Sequence, residues 1–427
     1  MVIFKHLLII KFIAIALITI SFSVFSAHIL AAKNPLPLSD YYTQTWSTHD
    51  GLPHNGINAI SQTSDGYLWI GTWEGLVRFN GREFKVYTRG SEVGLPDSAI
   101  KSLTLTPTEE LLVAGARGGL SERSNKHWSP KPSASTTINH AIYDSKQNLW
   151  LALEGKGLVY RSKDSQQDTV IINNLRAYKI VEDDKGVIWV ATSKGVFSVK
   201  HKTLVRHYDK RYGLPNSAAN TLLLTKDKQL IVGTEHGAYQ LVNDFFQPLH
   251  PQLSNKNISS LLQDTNHHIW LGTNNNGLFR LHNNNIEQLD DSSHLPNNRV
   301  SSIFQDQEKS IWVGTNAGLF RLREAPFTNW SQSRGLASDY VRTVLSHSDG
   351  SLWVGSSNGL NRIENGKLTT LSQAYEKDPL SVLSLTEDKQ GTVWLGTYTA
   401  GLMKVVNKQI YPVRNRSNGL ISNEVRA

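Results

Sequence analysis

Few residues in this sequence have types and spacings that could do chemistry. His267-His268 is an adjacent pair in a polar stretch. Imidazole is a common zinc ligand, but neighbours on a strand point to opposite faces, so the pair reads as a solvated turn rather than as metal ligands. The chain contains no cysteine, which removes thiol catalysis, thiolate zinc sites, disulfides and a lipid-modified cysteine anchor. No GxxxxGK[ST] stretch occurs, so the 31 glycines do not build a phosphate loop. Neither a metal nor a cofactor is expected. A second set, His54, Trp73, Arg117, Glu154, Glu235, His236, Asn274 and Asn275, is of the kind that hydrogen-bonds and stacks on a sugar or peptide. Asn and Asp also favour turns for their own backbone reasons, so the elements that position this set decide its meaning.

Those elements are copies of one unit. Leu68-Trp69-Ile70-Gly71-Thr72, followed by Gly75-Leu76, returns at Trp150, Trp189, Trp270, Trp312, Trp353 and Trp394, and in altered form around Val113 (LLVAGARGGL) and Ile231 (LIVGTEHGAY). Trp69 to Trp394 spans 325 residues over eight intervals, a period of about 41, and 7 of the 11 Trp residues occupy this one slot. Each copy holds four apolar alternations separated by turns. In the first they are Asn55–Gln62, Tyr67–Thr72, Gly75–Asn80 and Glu83–Thr88, which predict strands a, b, c and d. Asn80-Gly81 suits the left-handed positions of a tight c–d turn.

Four short antiparallel strands per period, with no helical period beyond residue 40, predict an all-β fold: a β-propeller of about nine four-stranded blades. The expected division is a first propeller over residues 41–329 (repeats 1 to 7), then further blades over 330–427 that form an incomplete second ring. The slot tryptophans are assigned to packing between blades, burying about 150–250 Å² each. Gly71 and its equivalents are expected where a neighbouring sheet comes close, and Gly75 and its equivalents at positive φ in the b–c turn. Tyr42–Trp46 reads as a strand d with no blade before it, placed to close a ring by pairing with repeat seven or with a repeat outside the sequence. Gly419–Val425 begins a tenth strand a, so the chain is expected to be part of a longer protein.

Residues 1–32 have the order basic, apolar, small: Lys5 and Lys11, the run Phe12–Phe25, then Ser26, Ala27, Ala31 and Ala32. This predicts a signal peptide or signal anchor and places the rest of the chain in the periplasm or on the outer side of the inner membrane. The net charge is +8, yet basic residues never form a run of five or six. A nucleic-acid partner is therefore not expected.

When strands run a to d outward, the d–a and b–c connections open on one face around the axis. The eight polar and aromatic residues above all fall in those connections. Turns of the form D-x-G or D-x-x-G before Trp are similar to the Asp-box of sialidase propellers. However, they recur as hairpin turns, and a sialidase needs three convergent arginines where only Arg117 holds a slot on this face. The chain itself is thus expected to be non-enzymatic. The alternatives are an exported propeller enzyme acting on polysaccharide and a structural interaction scaffold.

The repeat N-x-I-x-x-I-x-x-D-x-x-G-x-L-W-I-G-T-x-x-G-L-x-R resembles the two-component regulator propeller of bacterial periplasmic sensors, over residues 41–427. That resemblance implies an input module in a homodimeric receptor held in the membrane by an N-terminal anchor or a later helix; the small ligand expected at the polar and aromatic face is a sugar or oligosaccharide. The output in such receptors is a histidine kinase or a diguanylate cyclase. The stretch from Trp46 to Tyr87 resembles cyclase-linked members most, although no kinase or GG[DE]EF signature occurs in this sequence.

Overall fold

Alternation of period two, punctuated by Asp, Asn and Gly turns, leaves the chain only short strands to form. The computed structural model describes residues 35–426 apart from 92, 125–126, 133–135, 166, 325–329, 365 and 372–378. The expected signal or anchor segment lies outside the described residues. Among the described residues the chain forms nine four-stranded antiparallel sheets. In blade 1, strands a to d are Ile57–Gln62, Leu68–Thr72, Leu76–Phe79 and Phe84–Tyr87. The chain divides into two compact units, residues 1–325 and 326–427.

The first unit is a closed seven-bladed ring. Strand a of each blade lies against strand a of the next, and that of blade 7 (Val300–Gln305) against that of blade 1. Blade 7 takes its fourth strand from the start of the chain: Tyr42–Trp46 runs antiparallel to Leu319–Arg323, with Trp46 opposite Leu319 and Tyr42 opposite Arg323. Trp46 stacks on Trp312 at 5.4 Å and meets Phe79 of blade 1 edge-on at 5.5 Å. Closure leaves no open seam in the ring.

Each blade buries its faces against its neighbours. Between blades 6 and 7, Trp270, Leu278 and Leu289 meet Val300, Ile311 and Val313 in one apolar layer. Close approach requires glycine on strand b, since a Cβ on Gly314 would fall 2.7 Å from Ile57 Cγ2 of blade 1. The b–c glycines mostly take positive φ, as Gly318 does at 134°. Gly75, predicted to do the same, does not; it is glycine because a Cβ there would fall 2.9 Å from Val86 Cγ1.

The slot tryptophans are held by a polar device in the a–b turn. In blades 3, 4, 6, 7 and 9 an Asp six residues upstream accepts the indole N–H at 2.7–3.0 Å: Asp144, Asp183, Asp264, Asp306 and Asp388. The same carboxylates accept backbone N–H groups of the turn, as Asp264 does from Asn266 and His268. One side chain thus sets the hairpin and satisfies a buried donor. Trp69, Trp150, Trp270, Trp312 and Trp353 are buried; Trp189 and Trp394 are half-buried.

The second unit holds blades 8 and 9, whose strands a are Val341–Ser346 and Val382–Glu387. Trp353, Leu360 and Leu371 pack against Val382, Val393 and Leu395 across their interface. In place of the turn Asp, blade 8 has His347, only 10% exposed, whose Nδ1 lies 2.8 Å from Asp349 and whose Nε2 lies 3.0 Å from the Gly391 carbonyl oxygen and 3.4 Å from Glu387 of blade 9. Burial opposes charge on this imidazole, but the Gly391 carbonyl, Asp349 and Glu387 outweigh it and raise its pKa. A raised folded-state pKa stabilises fully below the unfolded value of about 6.5, and the gain is lost as pH rises through the folded value. The blade 8–9 unit should therefore unfold at lower urea at about pH 9 than at about pH 6. In H347Q that part of the pH dependence should vanish; an unchanged pH profile would refute the role of His347.

Candidate functional site

Strands a line the axis of the ring, so their side chains decide what the channel offers. At the second position of strand a the seven blades carry Asn58, Lys101, Asn139, Tyr178, Asn220, Ser259 and Ser301. Five of these donate to a strand-a carbonyl of the next blade: Asn58 to Ile100 at 2.9 Å, Asn139 to Ala177 at 2.9 Å, Asn220 to Ile258 at 3.0 Å, Ser259 to Val300 and Ser301 to Ile57. They are structural stitches. Lys101 and Tyr178 break the pattern and line the channel instead. At the third position the residues are Ala59, Ser102, Thr221, Ser260 and Ser302, except in blades 3 and 4, which carry His140 and Lys179. The departures from the repeat therefore cluster on blades 2 to 4, around a polar channel with about 250 Å³ of open space.

Above the channel, the d–a and b–c connections form its mouth. Trp73 is 44% exposed, and Lys101 Nζ lies 5.9 Å from its ring centroid. His54 sits beside it, because a Cβ on Gly56 would touch both rings. Glu154 accepts from Asn139 at 3.0 Å and pairs with Arg176 at 2.8 Å. Tyr178 has a raised pKa through burial, with Arg176 opposing and Glu154 and Glu235 adding to it, so these side chains share one field. Burial lowers the pKa of Lys101, against the pull of Glu154 and with the push of Arg299.

The other candidates are placed differently. Arg117 pairs with Asp97 through its guanidinium and its backbone N–H, though its side chain remains 74% exposed. Asn274 donates to Asn257 at 2.8 Å, while His236 and Asn275 stand exposed. Arg117 is not alone in these connections: Arg176 and Arg299 occupy them too. His268 is not solvated. It is buried at 3%, with Nδ1 2.8 Å from Asp264, while His267 faces away toward Asp227. Among the described residues no three His, Asp or Glu side chains are grouped as a metal site needs, and no helix is long and apolar enough to cross a membrane.

Lys101, Tyr178, His140 and Lys179 were not singled out in the sequence. Their signal is visible only once the copies are aligned at the strand-a bulge, where each is the odd residue in its column.

Known proteins resemble the chain in three ways. Residues 51–74, 252–275, 294–317 and 377–399 match the model of the two-component regulator propeller family. Among solved structures, the extracellular domain of a hybrid two-component system from B. thetaiotaomicron is similar at a TM-score of 0.69, with 22% identity over 90% of this chain and 62% of that one. The extracellular domain of a one-component system from the same organism gives 0.56, with 21% identity over 90% of this chain and 55% of that one. A streptogramin B lyase structure gives 0.54, with 13% identity over 68% of this chain and 99% of that one. These likenesses establish the propeller fold. A curated relative, Histidine kinase P4 of Formosa agariphila, is 34% identical over 71 residues, which are 17% of this chain and 5% of that protein. The chain thus spans less than two thirds of these signalling relatives.

Proposed function

We propose that this chain, which carries two-component regulator propeller repeats, is the extracytoplasmic ligand-sensing module of a bacterial membrane signalling receptor. It is non-enzymatic in itself, works in the periplasm as part of a homodimer, and passes its signal to a diguanylate cyclase or histidine kinase domain outside this sequence. The observation that carries the reading is the convergence of repeat-breaking side chains on one mouth of a closed ring: a rigid, repetitive frame with one irregular polar and aromatic face suits recognition. The repeat matches and the similarity to extracellular domains of signalling systems support it. A small ligand, a sugar or oligosaccharide, would stack on Trp73 and bond to Glu154, His54 and Arg117. It would signal through its different affinities for two receptor states.

Melting the protein against a panel of mono- and oligosaccharides tests this. A true ligand should stabilise by RT ln(1 + [L]/Kd), about 2.7 kcal/mol at a hundred times Kd, and Trp73→Ala or Glu154→Gln should weaken it by about tenfold. A panel without a stabilising member, or variants that bind as well as wild type, would count against the mouth. Product released from complex glycans would favour the enzyme reading.

A further inference from the structure

The channel beneath the mouth has a charge its walls do not balance. Lys101 and Lys179 both line it, and the lining contains no carboxylate. Among the described residues Lys101 Nζ has no hydrogen-bond or ion-pair partner, only the Trp73 ring. The partner of Lys179 Nζ is the Nε2 of His140, at 2.8 Å, and His140 is itself buried. An imidazole nitrogen does not neutralise an ammonium group.

A half-buried ammonium group is favoured by a nearby negative charge; Glu154 at the mouth acts in this way on Lys101, and the channel lining supplies no carboxylate for Lys179. Here the columns show that the lysines are not required by the fold. In the other six blades of the ring the Lys101 position is filled by Asn, Ser or Tyr, and the Lys179 position is held by small residues or His140. Both lysines appear at the axis, on blades 2 and 4, with no carboxylate in the lining to pair with them.

We propose that the axial channel is a binding site for a compact oxyanion (a carboxylate, sulfate or phosphate group), held by Lys101 and Lys179 with Tyr178 as a further donor. This rests on the reading of the mouth as a ligand face and sharpens it: the ligand would be an anionic molecule whose acidic group enters the channel while its body lies against Trp73. An ammonium provides three donors and suits such groups as a point charge. Burial already weakens the charged forms of His140 and Lys179, the latter with its pKa pushed down to about 8; a bound anion would favour the charged form of Lys179.

The test uses sulfate, phosphate and glucuronate as probes, with glucose as the neutral control, all at constant ionic strength. In the wild-type protein, mass spectrometry should show that each anion slows acetylation of Lys101 saturably and leaves the exposed Lys185 unaffected. Lys101→Gln and Lys179→Gln should each weaken saturable anion binding by about tenfold or more, and Lys101→Arg should retain it. Protection by glucuronate alone would assign the site to an acidic sugar, and equal protection by all three to a general oxyanion. No saturable protection in the wild type, or unchanged binding in both Gln variants, would overturn the proposal. The sensor reading fails separately, if neutral and acidic sugars alike bind Trp73→Ala as they bind wild type.

Discussion

Trp270→Ala is expected to destabilise the ring by about 3–5 kcal/mol. Trp270 is fully buried between blades 6 and 7, edge-on to Tyr41 at 6.4 Å and beneath the guanidinium of Arg280. Alanine would leave a cavity that neighbouring strands, pinned by their own ladders, cannot close. It would also remove the indole donor from Asp264, which is 3% exposed. Trp270→Phe separates the two effects, since it keeps most of the apolar contact and loses only the N–H. Its cost should be about 1–3 kcal/mol, the penalty for a buried acceptor deprived of one partner. Asp264 keeps His268 and two backbone donors, which argues for the lower end. Urea unfolding monitored by circular dichroism would check both; a loss below about 1 kcal/mol for alanine would mean that the slot tryptophan does not hold the blades together.

Deleting Tyr42–Trp46 is expected to do more, because it removes a whole strand from blade 7. The five-residue ladder to Leu319–Arg323 would be lost, together with the Trp46–Trp312 stack and the contact with Phe79. The exposed edge of blade 7 would then present unpaired backbone groups. The loss should exceed that of Trp270→Ala, on the order of 5 kcal/mol or more, and should appear as a broadened transition with a tendency to associate. Trp46→Ala, which leaves the ladder intact, should fall between wild type and the deletion. If the deletion melts like wild type, the seam is not what holds the ring closed.

The fold was readable because it is written nine times. A strand of period two, a turn Asp or Gly and one large apolar residue per copy are local features, and their recurrence at about 41 residues requires stacking, since a lone blade buries neither face. The turn Asp was readable as a hairpin signal but not as the partner of the indole, because a six-residue offset brings two side chains together only after the hairpin has formed. Gly75 shows the limit of analogy between copies: its neighbours Val86 and Pro53, not its φ, account for it.

The site was readable in part. Trp73 and His54 do sit side by side, because b–c and d–a connections share a face, and Glu154 lies in a connection of the same kind on blade 3. Arg117 and Asn274 turned out to be engaged by Asp97 and Asn257, partners that lie 20 and 17 residues away. Lys101, His140, Tyr178 and Lys179 are ordinary polar residues in ordinary strands when read along the chain.

What the sequence determined alone is the blade: its strands, its turns, its tryptophan slot and the need for neighbours, all of which follow from contacts within about 40 residues. What only the tertiary structure decided is where the ring closes and what meets at its axis. Pairing Tyr42–Trp46 with Leu319–Arg323 depends on how many twisted blades complete a circle, a property of angles between sheets that no single repeat encodes. The same circle brings side chains one or two repeats apart to a common channel, so that isolated exceptions to the repeat become one charged site.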